Sequence, residues 1–384
     1  MQIDETDIHD LLRQGENASL EFKEAEARPE SIAKEIIAFA NTNGGIILLG
    51  VGDDGTIHGL PEEKNYEEWV ANIARNNVLP SVCTDFSLVS AEGKKIAAIS
   101  VPKGRDKPYQ TTDGKYLVRV GSTNRIATQP ELLRLFQASG AFHYDLTRVS
   151  NTGMKDLNFT RLDNYFRRYE LDFSTESEDE KRILLRNTDI LSASGETTVG
   201  GLLIFGINPS RYLPQNGISF ACFRGKTLDE ELIDKQNIDG NLDYQIDTGS
   251  ALVKKHLPVP SVISGSRREN LGYVYPDKVF RELLANATVH RNYAITGSKI
   301  RVFCFEDRLE VISPGRLPNT VTIEKLRFGV SFAVNPILVK FMENLRYVDQ
   351  LGRGLPMVYQ EAVRGGKNVH FKEIGEEFKV TLEI

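Results

Sequence analysis

The chain has 384 residues, and this length predicts two or three domains. Its 40% hydrophobic and 26% charged residues are typical of a globular protein, and the formal net charge of −6 argues against a basic protein that coats nucleic acid. Three well-separated cysteines, an N-terminus without a signal-peptide pattern and the lack of an 18-residue apolar run predict a cytoplasmic protein with no disulfides and no membrane contact.

Residues 1–145 alternate helical and extended patterns and predict an α+β domain. Apolar residues at helical spacing predict a helix over 29–42, and the continuous apolar run at 46–51 predicts a buried strand that ends at a tight turn. The other elements predicted here are a strand in SLEFKEA, strands at 83–90, 95–101 and 116–120, and helices at 65–77 and 129–137.

Residues 146–275 predict a connecting α/β segment without a catalytic constellation, and residues 276–384 predict a second α/β domain. A long, loosely patterned region follows the first half of that domain, and we expect a flexible lid over residues 317–350. The elements predicted in these two segments are a strand at 218–223, helices at 240–256 and 279–293, a hairpin of 299–305 with 308–313, and a strand at 377–384.

Carboxylates and a lysine fall together in the segment 16–23. Side chains at i and i+2 of a strand share a face, so Glu21 and Lys23 should project together, while Glu16 precedes the strand. Asp53 follows the buried strand and is placed to join them. Such a group can hold Mg²⁺ or Mn²⁺ for phosphodiester cleavage, with Glu16, Glu21 and Asp53 as metal ligands and Lys23 as a further catalytic residue. The alternative is an ordinary Glu–Lys pair on a surface strand.

Residues 94–134 hold nine lysines and arginines against three acids, in a chain that is acidic overall. Two tyrosines, Tyr109 and Tyr116, lie between these basic residues, a composition suited to phosphate contacts and base stacking. The alternative is a solvated face paired with the acidic first 30 residues. The candidate nucleic-acid contacts are Lys103, Arg105, Lys107, Lys115, Arg119 and Arg125.

A third constellation begins with Glu282 and Asn286, which lie four residues apart and share one face of a predicted helix. A glutamate can act as general base on water, and an amide oxygen suits a Mg²⁺ that is also bound to phosphates. His290, one turn further, either borders the same site or packs on the helix face. Turns containing Gly315, Gly352 and Gly354 follow, and glycines there let backbone N–H groups approach phosphates.

Several common motifs do not occur in the sequence. It has no GxxxxGK[ST] motif, which argues against a P-loop motor, and no GxSxG motif. Its six histidines do not combine with cysteines at zinc-binding spacing.

Two stretches of the sequence resemble the domains of a known bacterial family. Residues 10–137 resemble the Schlafen-type AlbA_2 domain through ENASLEFKEA, IAFANTNGGIILLGVGDDGTIHGL and KYLVRVGSTNRIA. Residues 276–384 resemble a GHKL-type (HATPase_c_4-like) ATPase module, an α/β sandwich, through FRELLANATVHRNY, DRLEVISPGRLP, NPIL and LGRGLPMV. The whole chain is similar to AlbA_2/GHKL transcriptional regulators, some of them labelled RecG-like helicases.

The resemblance implies roles for individual residues. Glu282 would be the catalytic glutamate of an ATP site, Asn286 its Mg²⁺-binding amide and Gly315 part of the adenine-side turn, where related ATPases carry an aspartate and this chain has Ser313. Gly352 and Gly354 would form the phosphate-side loop. In Schlafen nucleases three acids form the active site, and they fall on Glu16, Glu21 and Asp53.

We therefore expect an ATP- and Mg²⁺-binding regulator that binds DNA or RNA, with the ATP site controlling the AlbA_2 domain. A homo-oligomer is expected, because related folds pair across their sheets. One alternative is a metal-dependent endonuclease acting on RNA, including tRNA, or on DNA, in defence or stress response. Another is a scaffold that has kept both folds and lost both activities.

Overall fold

The computed structural model describes residues 5–257, 261–264, 267–270, 275–318, 321–330, 332–349 and 351–384. The chain divides into two compact units, Met1–Phe142 and His143–Ile384, called here the N-terminal and the C-terminal unit. This division differs from the three predicted segments 1–145, 146–275 and 276–384, because the middle segment belongs to the same unit as the last.

The N-terminal unit confirms the predicted α+β class, and the helices and strands expected from sequence lie within a few residues of their predicted positions. Its elements are α1 (Glu5–Gln14), β1 (Leu20–Lys23), α2 (Pro29–Asn41), β2 (Gly45–Leu49), α3 (Tyr66–Asn76), β3 (Val78–Leu79), β4 (Asp85–Ala91), β5 (Lys94–Val101), β6 (Gln110–Thr111), β7 (Leu117–Val120), β8 (Thr123–Ile126) and α4 (Gln129–Ala138).

The main sheet of this unit has the strand order β1-β2-β5-β4, with β1 parallel to β2 and the other neighbours antiparallel. Ile47 and Leu49 of β2 share a core with residues of α2 and α3. On β1, Leu20 and Phe22 lie in a second core with residues of α1. Because side chains alternate along a strand, this leaves the intervening positions of β1 on the α2 side of the sheet.

The C-terminal unit contains the remaining elements. They are α5 (Phe159–Phe166), α6 (Glu178–Asn187), α7 (Val199–Phe205), α8 (Pro209–Tyr212), β9 (Ile218–Arg224), β10 (Glu231–Ile238), α9 (Leu242–His256), β11 (Ser261–Ser264), β12 (Arg267–Asn270), α10 (Asp277–Val289), β13 (Ile300–Cys304), β14 (Arg308–Pro314), α11 (Ile323–Leu326), α12 (Pro336–Asn344), α13 (Gly354–Arg364), β15 (Val369–Ile374) and β16 (Glu377–Glu383), with one-turn 3₁₀ helices at Tyr144–Leu146, Met154–Asp156 and Arg167–Tyr169.

A six-stranded sheet organises the unit, in the order β10-β9-β13-β14-β16-β15. Strands β9 and β13 pair in parallel and all other neighbours are antiparallel. Helices α9, α10 and α13 pack on the sheet, which gives the expected α/β sandwich. Two strands come from the middle segment, and a single hydrophobic core extends from Leu157 to Leu382. The segment predicted to be a connector is therefore part of the sheet and of the core.

The predicted lid over 317–350 is wrong for its central part, because α12 belongs to the core. Leu338 and Phe341 of α12 are fully buried. The Asp145 carboxylate accepts hydrogen bonds from the backbone N–H groups of Ile337 and Leu338, at 2.7 and 3.1 Å, and so satisfies the first turn of the helix. The sequence did not reveal this anchor, because the capping carboxylate lies almost 200 residues earlier in the chain.

Candidate functional site

Helix α10 holds Glu282 and Asn286 together, as their spacing predicted. Its apolar residues, including Val279, Leu283 and Ala287, are buried against the core, and this burial fixes the face on which the two polar side chains lie. The Asn286 amide nitrogen donates to the Glu282 backbone oxygen at 2.8 Å and also to the Glu282 carboxylate. Its nitrogen is thus occupied, and its amide oxygen remains as a ligand for a hard cation.

Gly354, the first residue of α13, lies directly against the Glu282 carboxylate. A Cβ at position 354 would come within 1.6 Å of Glu282 Oε1, so only glycine leaves that carboxylate where it is. Gly352 has φ +67°, and a Cβ there would lie 3.0 Å from the backbone of Val330. Both glycines predicted from sequence therefore have a steric reason to be glycine.

Replacing Gly354 with alanine should displace the Glu282 carboxylate without unfolding the protein, because the clashing atom is the end of a flexible side chain. The ATP turnover that the family resemblance implies should then fall about 100-fold or more, comparable with loss of a general base. Steady-state hydrolysis and thermal unfolding of the variant measure the two effects. Gly297→Ala is the matched control, because a Cβ there meets nothing within 4 Å and its φ, like that of Gly354, is not in the left-handed region. Turnover equal to wild type would show that Gly354 does not position Glu282.

A cavity that we call the polar cavity opens beside these residues and encloses about 510 Å³, part of it open to solvent. Its polar side chains are Glu282, Asn286, His290 and Asp349, and no lysine or arginine of the described chain lines it. Burial raises the pKa of Glu282, the Asn286 hydrogen bond opposes this, and the charge of Asp349 adds to it. A polyphosphate would meet the Glu282 carboxylate here, and the Asp349 carboxylate, which accepts from Arg353 Nε at 2.9 Å, so a divalent cation would favour its binding.

A second cavity, the apolar cavity, encloses about 790 Å³ and is also partly open to solvent. Its wall is mostly aliphatic and aromatic, and within the described residues it contains no carboxylate. Ser313 lines it and donates its hydroxyl proton to the backbone oxygen of Ala287 at 2.8 Å. Gly315 lines it with φ +126°, where a Cβ would lie 2.9 Å from Asn292 Cβ. The apolar lining suits the ring of a nucleobase.

The two cavities share part of their walls. Asn286 and His290 are the polar side chains common to both, and the shared apolar residues are Leu326, Val330, Phe332 and Leu355. An apolar compartment for a ring thus adjoins a compartment with oxygen ligands for a cation. Sequence reasoning found Glu282, Asn286, His290 and the glycines, but missed Asp349, which carries no motif of its own.

In the N-terminal unit the predicted Glu21–Lys23 pair forms, but it lies in a buried group that we call the ion cluster (Glu21, Lys23, Glu35 and Arg119). Arg119 Nη2 lies 2.6 Å from Glu21 Oε2, and Arg119 Nη1 lies 3.2 Å from Glu35 Oε2. Burial and the charge of Glu21 raise the pKa of Glu35, with Lys23, Asn124 and Arg119 opposing. Burial lowers the pKa of Lys23, but the Glu21 and Glu35 carboxylates outweigh it and the net pKa is raised.

The three acids predicted as metal ligands are not gathered into such a site. Glu16 Oε1 accepts the backbone N–H of Phe22 at 3.0 Å, and the Glu21 carboxylate pairs with Lys23 and Arg119. Asp53 is exposed in the turn after β2. No group of three or more His, Cys, Asp and Glu residues in the described parts of the chain is arranged to hold a metal ion. The predicted Mg²⁺ or Mn²⁺ site at Glu16, Glu21 and Asp53 is therefore corrected to an ion cluster and a strand-edge hydrogen bond.

Most of the basic residues predicted to contact nucleic acid form hydrogen bonds or ion pairs within the protein. Arg119 is not available to phosphates, since its side chain is only 1% exposed. Lys107 is buried as well, and its Nζ donates to the backbone oxygen of Thr42 at 2.7 Å.

The remaining four basic residues lie nearer the surface. Lys115 pairs with Asp113 at 2.7 Å, and Arg125 pairs with Glu131 at 2.7 Å. Arg105 is exposed and Lys103 is half-buried. We could not predict these ion pairs from the composition of residues 94–134. Acids within six residues, and a glutamate 84 residues away on α2, neutralise much of the positive charge of this segment.

Comparisons with known proteins agree with the two units. Residues 16–128 match the family model described as "Schlafen, AlbA_2", and residues 297–382 match the one described as "Putative ATP-dependent DNA helicase recG C-terminal". These matches confirm the domain architecture that the sequence resemblance implies. They are domains of nucleic-acid-related, ATP-binding proteins. No curated protein sequence matches the chain.

Two solved structures are similar. The DIP2311 protein from Corynebacterium diphtheriae has 22% identity and a TM-score of 0.47, and the match covers 98% of this chain and 79% of that one. The N-terminal domain of a "Putative ATP-dependent DNA Helicase RecG-related Protein" from Nitrosomonas europaea has 26% identity and a TM-score of 0.25, covering 32% of this chain and 93% of that one. None of the helices in the described residues is long and apolar enough to span a membrane.

Proposed function

We propose that this chain, which combines a Schlafen-type AlbA_2 domain with a RecG-C-terminal-type ATPase module, is a cytoplasmic regulator that binds nucleic acid and is controlled by Mg²⁺·ATP. The observation that carries the proposal is the adjoining pair of cavities on α10, one apolar and one lined by Glu282, Asn286 and Asp349. A nucleoside triphosphate has the matching parts, an aromatic base and a polyphosphate that carries a divalent cation.

The side chains present fit a magnesium ion. The Asn286 amide oxygen is a hard ligand, and Mg²⁺ keeps its remaining ligands from water and from the phosphates. When bound, the ion would offset the phosphate charge beside the two carboxylates. Glu282, which contacts Asn286 and Gly354, would accept a proton from the attacking water.

Replacing Asn286 with alanine should weaken ATP binding in Mg²⁺ to the level that wild type shows in EDTA, because both changes remove the cation that screens Glu282 and Asp349. Isothermal titration calorimetry with a non-hydrolysable ATP analogue measures both. Asn237→Ala, at an exposed position on β10, is the control and should bind as wild type does. Binding that is independent of Mg²⁺ and unchanged by Asn286→Ala would exclude this site.

Control of nucleic-acid binding by ATP is tested through reciprocity. If Mg²⁺·ATP changes the affinity for nucleic acid by some factor, nucleic acid must change the affinity for ATP by the same factor. Titrations of labelled DNA and RNA with and without the ATP analogue, and of the analogue with and without the preferred nucleic acid, give the two factors. If both affinity ratios equal one, ATP binding and nucleic-acid binding are not coupled. Light scattering in the same samples tests whether the chain forms the homo-oligomer expected from its sequence.

A further inference from the structure

The position of His290 suggests a role beyond the proposed ATP site. It caps the C-terminus of α10, where its backbone N–H donates to the Asn286 oxygen at 3.0 Å, and its side chain lines both the apolar and the polar cavity. Within the described parts of the chain, no hydrogen bond or ion pair involves its imidazole. A ring placed at the junction of two cavities and lacking such a partner is available to a ligand that spans both.

We propose that His290 hydrogen-bonds a ribose hydroxyl of the bound nucleotide and makes the site select ribonucleotides over deoxyribonucleotides. The inference rests on the proposed function and names the sugar that the site selects. In a nucleoside triphosphate the sugar joins the base to the phosphates. With the base in the apolar cavity and the phosphates in the polar cavity, the sugar lies at the shared wall that contains His290.

The chemistry of the ring supports a hydroxyl as its partner. Burial lowers the pKa of His290 to about 4, so the imidazole is neutral at physiological pH. A neutral imidazole has one donor and one acceptor, which match a hydroxyl, whereas an imidazolium would favour phosphate.

The other polar groups on the shared wall and in the apolar cavity are less available for this role. Asn286 Nδ2 is engaged by Glu282, the Ser313 hydroxyl donates to Ala287, and Arg316 Nε donates to the backbone oxygen of Gly375 at 2.7 Å. His290 therefore offers a donor and an acceptor that no described residue occupies.

Calorimetric titration of the full chain with ATP, 2′-dATP and 3′-dATP in Mg²⁺ tests the proposal. Wild type should bind ATP about three- to tenfold more tightly than at least one deoxynucleotide, the difference that one hydrogen bond supplies. His290→Leu should bind all three alike, and His290→Gln, which keeps a donor and an acceptor, should retain the preference. His370→Ala, at an exposed position on β15, serves as the control and should behave as wild type.

Equal affinities of wild type for the three nucleotides would overturn the inference while leaving the ATP site in place. Failure to bind any of them would overturn the proposed function and the inference together. An ATP affinity that rises as pH falls from 7.5 to 5.5 in wild type, and not in His290→Gln, would show a cation acting on phosphate and would also contradict it. The comparison of ATP, 2′-dATP and 3′-dATP in wild type can overturn the inference even if His290→Leu does not fold.

Discussion

Glu282→Gln is expected to lower the rate of ATP hydrolysis by about 10²–10⁴-fold while Mg²⁺·ATP binding persists, because the amide keeps the shape of the carboxylate but cannot accept a proton from water. Single-turnover hydrolysis and calorimetric binding of the same variant separate the two effects. Glu343→Gln, at an exposed position on α12, is the matched control, since Glu343 does not line either cavity. Retained hydrolysis in Glu282→Gln would remove Glu282 from the chemistry.

The same residue sets a pH dependence. Burial raises the pKa of Glu282 above its ordinary value of 4.5, and Asp349 adds to this while Asn286 opposes it. The base acts as a carboxylate, so turnover is lost as pH falls through this raised pKa. Asp349→Asn should move that loss to lower pH. Because the pKa of Glu282 is raised in the folded protein, its ionised form lowers the free energy of unfolding, and this loss grows as pH rises through the pKa. Glu282→Gln removes the loss, so the gain in free energy of unfolding should be larger at pH 8 than at pH 4.

Arg119→Met should destabilise the N-terminal unit by about 3–5 kcal/mol, because it leaves Glu21 and Glu35 buried with only Lys23 to compensate two negative charges. The chain has a single tryptophan, Trp69 on α3, so its fluorescence during urea unfolding reports on this unit alone.

The control for Arg119 is Arg125→Met. Arg125 also pairs with a glutamate, but its side chain is 43% exposed, and such pairs contribute less than about 1 kcal/mol. Equal, small losses of unfolding free energy in the two variants would show that the ion cluster does not stabilise the unit. A large loss for Arg119 alone is the result that burial predicts.

Local patterns in the sequence predicted much of the C-terminal site. Glu282 and Asn286 share a helix face because the helical period places residues four apart on one side. Gly352 and Gly354 were predicted as phosphate-side turn residues, and the structure gives each a steric reason. Two contacts between residues far apart in the chain could not be predicted from these patterns. They are the hydrogen bonds from α12 to the Asp145 carboxylate and the pairing of β9 with β13, which brings the middle segment into the sheet.

The N-terminal prediction went wrong for a physical reason that the sequence partly contains. The i, i+2 rule placed Glu21 and Lys23 on one face correctly, but it does not say what lies opposite. Glu35 on α2 and Arg119 on β7 come from distant segments and convert a predicted metal site into a neutral, buried ion cluster. A glutamate within the apolar run of α2 was the available signal, since a buried carboxylate requires a basic partner.

A crystal structure of the chain with Mg²⁺ and a non-hydrolysable ATP analogue would decide whether the two cavities form one nucleotide site. We expect the base in the apolar cavity beside Ser313, and a metal ion bound by the Asn286 oxygen in the polar cavity. A nucleotide bound elsewhere, or both cavities free of nucleotide at saturating concentration, would contradict it.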